Sequence, residues 1–523
     1  MTLAKAGLSA LVMGITLAAA PPVALPALPG GTEPPLLRET EPLDQVLARA
    51  EAELDADNRF GAVIHLLDAL RQPGFSLAAP ELRYSVYLTL GLLEADMGTD
   101  RLGFEHLMQA GAAAPQARDA AYWQAAATLA LRLEEKDALL SAVTALARDF
   151  PESQADWPNR IVSRAVAHGR GLPAERSGER LDLLAALFAM DYRSRDPYLS
   201  VENYWLDLLE LYVSRGMEAE ARRVAGRLER PDSLIALSID RRFAHLAPGE
   251  RLAAHRRALD RSIAEARELA ASRPREIRAV YRLASALDNA GQLAEALGLL
   301  DAALAKAQPA GDGAAAYDDL AAYQHWTEFT RSGVLLKLGR WEEGRKARER
   351  ARDLARENGA DLATRTGLAV DVGVTEIFLE APERALAALR FMDGEPDGSF
   401  GKASAESVRA CALAQTGDAA GAAAALQYVL EYGADDYLPV QMALLCLDDL
   451  DRLAGIVVGR IADPATRADM LEELQDYRLP EADTAFGRLM NARFDRLRAR
   501  SDVREAIDRH GFILDWPVFR ASN

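Results

Sequence analysis

A chain of 523 residues with a formal net charge of −18 at pH 7 has no general attraction for nucleic acid or an anionic lipid surface, both of which repel it as a whole. Half of its residues are hydrophobic but only 7% are aromatic, so its core is built mainly from small aliphatic side chains, Ala above all, which suits closely packed helices. Val and Ile are sparse, and no sustained apolar–polar alternation runs between turn signals, so a large sheet is excluded and the fold class is all-α.

Taken in chain order, residues 1–27 read as a secretory signal: Lys5, an apolar run from Ala6 to Leu17, then Ala18, Ala19 and Ala20. Pro21 spoils cleavage directly after Ala20, which moves the expected cut toward Ala24 or Ala27. The run is short for a membrane span, and a retained signal would serve as an anchor. The expected location is periplasmic or secreted. A Pro-rich spacer, 28–42, follows.

Helix pairs then recur with a period of about 34 residues. Tyr84 to Pro115 sets Tyr87, Leu90, Gly91, Gly98, Gly103, Leu107 and Ala110 in one register. Ala120 to Pro151 repeats it with Trp123, Ala127, Ala130, Leu139 and Val143. Trp205, Leu208, Tyr212, Gly216, Ala221 and Leu228 fit a third unit, and Ile277 to Pro309 fits best, through Leu283, Ala284, Leu287, Gly291, Leu293, Ala296, Leu300 and Ala303. The unit around Gly339 and Trp341 departs from the pattern, with Gly344 at a position expected to be Ala and Arg348 at one expected to be apolar. Ala403 to Tyr432 is a weaker match, and Leu47, Leu54, Phe60, Val63, Leu67 and Leu70 suggest an N-terminal pair. Small residues at fixed positions let two helices approach closely, and Pro ends the second helix because it cannot donate the next hydrogen bond.

Outside these units, Leu252, Leu259, Ile263, Ala266 and Leu269 stripe one long helix at 251–271. Breaks rich in Gly and Pro at Gly169–Gly178 and Asp393–Gly401 suggest three segments, 43–168, 179–392 and 402–523. The aromatic tail from Phe512 to Phe519 is expected to cap the last repeat.

This pattern resembles the tetratricopeptide repeat (TPR) superfamily. The resemblance implies an α-solenoid of antiparallel helix pairs in a right-handed superhelix, whose inner wall is lined by the first helix of each pair. Carried over position by position, that wall would present Arg278, Tyr281, Ser285, Asp288 and Asn289, followed by Trp326, Phe329 and Lys337. It implies a protein or peptide partner held by side-chain burial and hydrogen bonds. Trp326 and Phe329 also suit plain packing against a neighbouring helix, and Trp123 and Trp205 are assigned to packing outright.

No chemistry stands out beside this. The seven His are scattered, without a second metal ligand one helical turn away, and there is no G-x-S-x-G and no Gly-rich phosphate loop with its Lys. No metal, cofactor or catalytic residue is therefore expected. Asp448, Asp449 and Asp451 lack the Gly and terminal Glu of a calcium loop and read as a solvated helix end. Cys411 and Cys446 could be bridged in an oxidising compartment, but without C-x-x-C spacing they are expected as buried small residues. The leading expectation is a non-catalytic exported scaffold. A helical cell-wall enzyme, or a saccharide or lipid carrier, is the alternative.

Overall fold

A computed structural model describes residues 41–307, 316–392, 401–433, 437–480 and 484–519. The signal at 1–27 and nearly all of the spacer at 28–42 lie outside these. The described chain is helical almost throughout and forms two compact units that divide after Gly216, a point that coincides with neither Gly/Pro break.

The first unit runs through α1 (Leu43–Asp55), α2 (Arg59–Arg71), α3 (Pro80–Asp96), α4 (Asp100–Ala113), α5 (Ala120–Arg132), α6 (Lys136–Asp149), α7 (Asn159–Arg170), α8 (Ser177–Ala189) and α9 (Glu202–Ser214). Successive helices pair as hairpins, and each pair packs on the next. The reason for the small residues is plainest between α3 and α4. A Cβ on Gly91 would stand 2.8 Å from the Gly103 carbonyl oxygen, and one on Gly103 would stand 2.7 Å from the oxygen of Gly91. The two backbones touch where the repeat pattern demands no side chain. Trp205 is buried as expected, whereas beside Trp123 it is Tyr122 that fills the core, with Trp123 half-buried against its edge. Phe60, expected in the apolar face of the first pair, is 65% exposed.

The second unit contains α10 (Glu218–Ala225), α11 (Pro231–Ile239), α12 (Arg251–Ser272), α13 (Ile277–Asn289), α14 (Leu293–Lys306), α15 (Leu320–Lys337), α16 (Trp341–Glu357), α17 (Leu362–Phe378) and α18 (Pro382–Leu389). It continues through α19 (Lys402–Thr416), α20 (Ala419–Tyr432), α21 (Tyr437–Cys446), α22 (Leu450–Ala462), α23 (Arg467–Glu473), β1 (Asp476–Arg478), α24 (Ala485–Ala499), α25 (Ser501–His510) and β2 (Asp515–Phe519). The long helix expected at 251–271 is α12. The irregular unit also pairs, as α15 and α16. Its buried Arg348 stacks over Phe329, 4.6 Å from the ring centroid, and faces Asp371 at 3.6 Å, which supplies the partners that a cation at an apolar position needs.

One conformational device recurs through both units. The turn between paired helices carries a residue with positive φ: Gly at 98, 291, 339 and 417, but Asp57, Glu134, Glu380 and Asp448 elsewhere. Helix starts are sealed by side chains, as where Asn58, Asp119, Asp361, Asp418, Asp449 and Thr484 accept a backbone N–H of the first turn.

Two expectations are corrected here. Cys411 and Cys446 form a disulfide, with Cα atoms 5.2 Å apart and a sequence separation of 35. That separation is about one repeat, so the bridge joins the first helices of successive pairs, α19 and α21, which pack side by side. The tail also does more than cap the last pair. β2 pairs in parallel with β1, Gly511 bridges to Asp240 just after α11, and β2 touches α13. The last segment of the second unit thus packs on its first helices, and a two-stranded sheet interrupts the all-α pattern.

Candidate functional site

The tail is fixed by one side chain. Gln475, 3% exposed, lies between α23 and β1; its amide nitrogen donates to the carbonyls of Leu471 (2.7 Å) and Phe512 (3.0 Å). Its oxygen accepts from the Leu514 N–H (2.9 Å) and the Trp516 indole N–H (3.2 Å). Every hydrogen-bonding position of a buried amide is used, which a core tolerates and a register needs. Trp516 is fully buried, with the His255 ring edge-on at 4.8 Å. At the other end Gly511 cannot be replaced in place, since a Cβ would come 2.6 Å from the Ile239 carbonyl oxygen and from the Leu471 side chain.

This anchoring delivers Phe519 to a cleft. Its ring lies between two cations, with Lys337 Nζ 5.8 Å and the Arg478 guanidinium carbon 5.2 Å from its centroid. These three residues are shared by two adjoining hollows. One, of about 480 Å³, is closed by the turn and first residues of α14, from Gly291 to Glu295. The other, of about 400 Å³, is walled by Phe378, Tyr477, Met490 and Phe494, with Gln441, Asp495 and Arg498 among its polar residues. The walls combine aromatic faces with groups of both charges, a surface suited to burying side chains while hydrogen-bonding a backbone.

The eight residues predicted for the inner wall fall into two neighbourhoods. Asp288 and Lys337 meet as a nearly buried ion pair, 2.8 and 2.9 Å, at the edge of the cleft. On the same helix Tyr281, Ser285 and Asn289 are half-buried, with the Ser285 hydroxyl donating to the Tyr281 carbonyl. Arg278 stacks on Tyr323, 4.9 Å from the centroid. Trp326 and Phe329 sit apart from these, edge to face with each other and packed against Ala351, Ala355 and Leu368.

Ionisable groups near this second neighbourhood are perturbed by burial. Burial pushes the carboxyls of Glu328 and Asp371 up, against the pull of Arg331 and Arg348 respectively, and pushes the His325 imidazole down. Among the described residues no cluster of three or more His, Cys, Asp or Glu could hold a metal. The aspartates at the start of α22 are taken up structurally. Asp449 caps the helix, Asp448 accepts from Arg496 at 2.6 Å, and Asp451 accepts from Arg500 at 2.6 Å. Sequence reasoning missed Gln475, Arg478 and Phe519 as site-forming residues. The usable signal was the aromatic run from Phe512 to Phe519; Gln475 stands among charged residues and nothing local marks it.

No family model matches the sequence, and no curated protein matches it. Among solved structures the chain is similar to a tetratricopeptide repeat protein from Parabacteroides merdae, at 14% identity and TM-score 0.26, covering 64% of this chain and 98% of that one. It is also similar to the apo form of RapI, at 10% identity and TM-score 0.28, covering 89% and 98%. Superpositions this loose carry no argument about shape or ligand. The class rests on the hairpins themselves: this is an all-α protein of TPR-like helix pairs, and among its described residues no helix is long and apolar enough to cross a membrane.

Proposed function

We propose that the chain is an exported scaffold that binds a protein or peptide partner in the cell envelope and performs no catalysis on it. The observation that carries this reading is the cleft around Phe519, where the tail, α14, α15 and α24 bring aromatic and charged side chains to one opening. The disulfide between Cys411 and Cys446 supports export, because such bridges persist in oxidising compartments. An extended segment would lay apolar side chains against Phe378 and Phe494 and set its polar groups on Gln292, Arg478 and Asn491. The face bearing Arg278, Tyr281, Ser285, Asp288, Asn289 and Lys337 extends this opening along α13 and α15. Trp326 and Phe329 enter the proposal as supports of that face through their packing on α16 and α17.

The test is crosslinking in the native envelope followed by mass spectrometry, comparing the wild type with a folded Arg478→Glu, Leu338→Asp variant. Both residues are exposed, so the fold should survive the change. One exported protein captured by the wild type and lost from the variant is the expected result. The same proteins captured by both, or none by either, would remove the cleft from the account.

A further inference from the structure

A second surface of the second unit shares no residue with the Phe519 cleft. At the end of α16, the start of α17 and the segment after α18, four guanidinium groups from Arg352, Arg356, Arg365 and Arg390 line one hollow of about 510 Å³. In a chain of net charge −18 such a convergence is unusual, and the bland account is that arginines sit at helix C-termini, where the dipole favours them. That account covers Arg356, in the last turn of α16, and Arg390, directly after α18; Arg352 and Arg356 are also held by Asp353, at 2.9 Å and 3.8 Å. It does not cover Arg365, which lies in the first turn of α17, where a cation is disfavoured by the same dipole.

Among the described residues neither Arg365 nor Arg390 has a side-chain hydrogen bond or ion pair. The carboxylate of Asp361, near Arg365, is engaged in capping α17 through the Thr364 N–H at 2.7 Å. Among the described residues Asp353 is the only carboxylate lining the hollow, so those walls hold a clear excess of positive charge even after about half a negative charge is allowed for each nearby helix C-terminus. The rim is also apolar. Leu362 is 53% exposed and Phe391 44% exposed, and the buried Ala369 forms part of the floor.

We infer that this hollow is a docking site for an acidic protein segment carrying an apolar anchor residue. Carboxylates of the segment pair with Arg365 and Arg390, whose planar donors match carboxylate oxygens two to two, and one aliphatic side chain inserts between Leu362 and Phe391. Charge complementarity selects the acidic segment over a neutral helix, and the exposed Leu and Phe select it over a small anion. The site is independent of the Phe519 cleft, so either can fail without the other.

The test uses the full chain and a fluorescein-labelled twelve-residue peptide of Asp and Glu with a central Leu pair, followed by fluorescence anisotropy. Two control peptides replace the acids by Asn and Gln, or the Leu pair by Ser. The inference expects saturable binding of the acidic Leu peptide that weakens with added salt, and at least tenfold weaker binding by the Arg365→Glu, Arg390→Glu variant. An Arg365→Lys, Arg390→Lys variant keeps the charge but loses the two-to-two match, so its affinity should fall between those of the wild type and the charge-reversed variant, which separates loss of charge from loss of fold. Both control peptides should bind at least fivefold more weakly. Equal binding by the charge-reversed variant, by the amide peptide or by the Ser peptide would overturn the inference. So would absence of binding to the wild type together with binding to an Asp393→Asn, Glu395→Gln, Asp397→Asn variant, because the occupant would then be the chain's own acidic stretch.

Discussion

The hairpin of α3 and α4 in the first unit and the tail contacts of the second unit show two ways of completing a helical array. In the first, each pair meets only its neighbours, and the determining feature is local: Gly91 and Gly103 face each other and let two backbones touch. In the second, a segment that begins some 270 residues after α11 returns to it, since the Arg241 N–H donates to the His510 carbonyl and the Phe512 N–H donates to that of Ile239. The first kind of order is set by side-chain size at fixed spacing. The second depends on a few specific polar contacts, and those contacts build the cleft.

That difference predicts how each region fails. The largest effect is expected for Gln475→Leu, which strips hydrogen-bond partners from the buried Trp516 indole and from the part-buried Leu514 N–H and Phe512 carbonyl. At roughly 1–3 kcal/mol per stranded buried group, a loss of several kcal/mol is expected in the second unit, seen as a lower urea midpoint and early proteolysis near residue 511. Reduction of the Cys411–Cys446 bridge removes a cross-link that closes a loop of 35 residues and should cost about 3–4 kcal/mol in the same unit, measured by thermal unfolding with and without reductant.

Gly91→Ala probes the other region. Placing a methyl group 2.8 Å from a backbone oxygen forces α3 and α4 apart, at about 1–3 kcal/mol, and the loss should appear in the first unit while the second keeps its midpoint.

A pH dependence separates the units more gently. His255 packs buried against Trp516, and burial holds its imidazole down at about 4. The unfolded chain binds a proton there near pH 6.5, so between about 6.5 and 4 the unfolded state carries more protons and stability falls as pH falls. Going from pH 7 to pH 5 should cost the second unit about 2 kcal/mol from this group, and His255→Leu should flatten the profile. His325, also pushed down by burial, acts with the same sign.

Much of the fold was legible because repeats write themselves in small residues and turns. Pairs whose turn uses Gly, at 98, 291 and 339, stood out in the sequence, and the long helix stood out by its apolar stripe. The pair that turns on Glu134 was read from its core positions instead, and the one on Asp57 was suggested in the same way, but those that turn on Glu380 and Asp448 were not seen, since a non-Gly residue at positive φ leaves no mark in composition. The disulfide was missed because motif spacing was sought instead of repeat spacing: a separation near one period places two first helices side by side. Phe60 was misplaced because periodicity finds a helical face without saying what covers it. Of the residues at the candidate cleft, Lys337 and its ion-pair partner Asp288 coincide with positions named from the repeat pattern. Phe519, Arg478 and Gln475 do not, because their meeting depends on a long-range return of the chain that no local pattern encodes.

The most direct test of that return is native-state hydrogen exchange on the wild type and Gln475→Leu, resolved by peptide. If the tail holds the second unit closed, residues 231–241 and 511–519 gain exchange together in the variant while 84–110 are unchanged. If only the tail exchanges faster and 231–241 keep their protection, the contacts between the two ends are incidental and the account of the cleft as a product of closure is wrong.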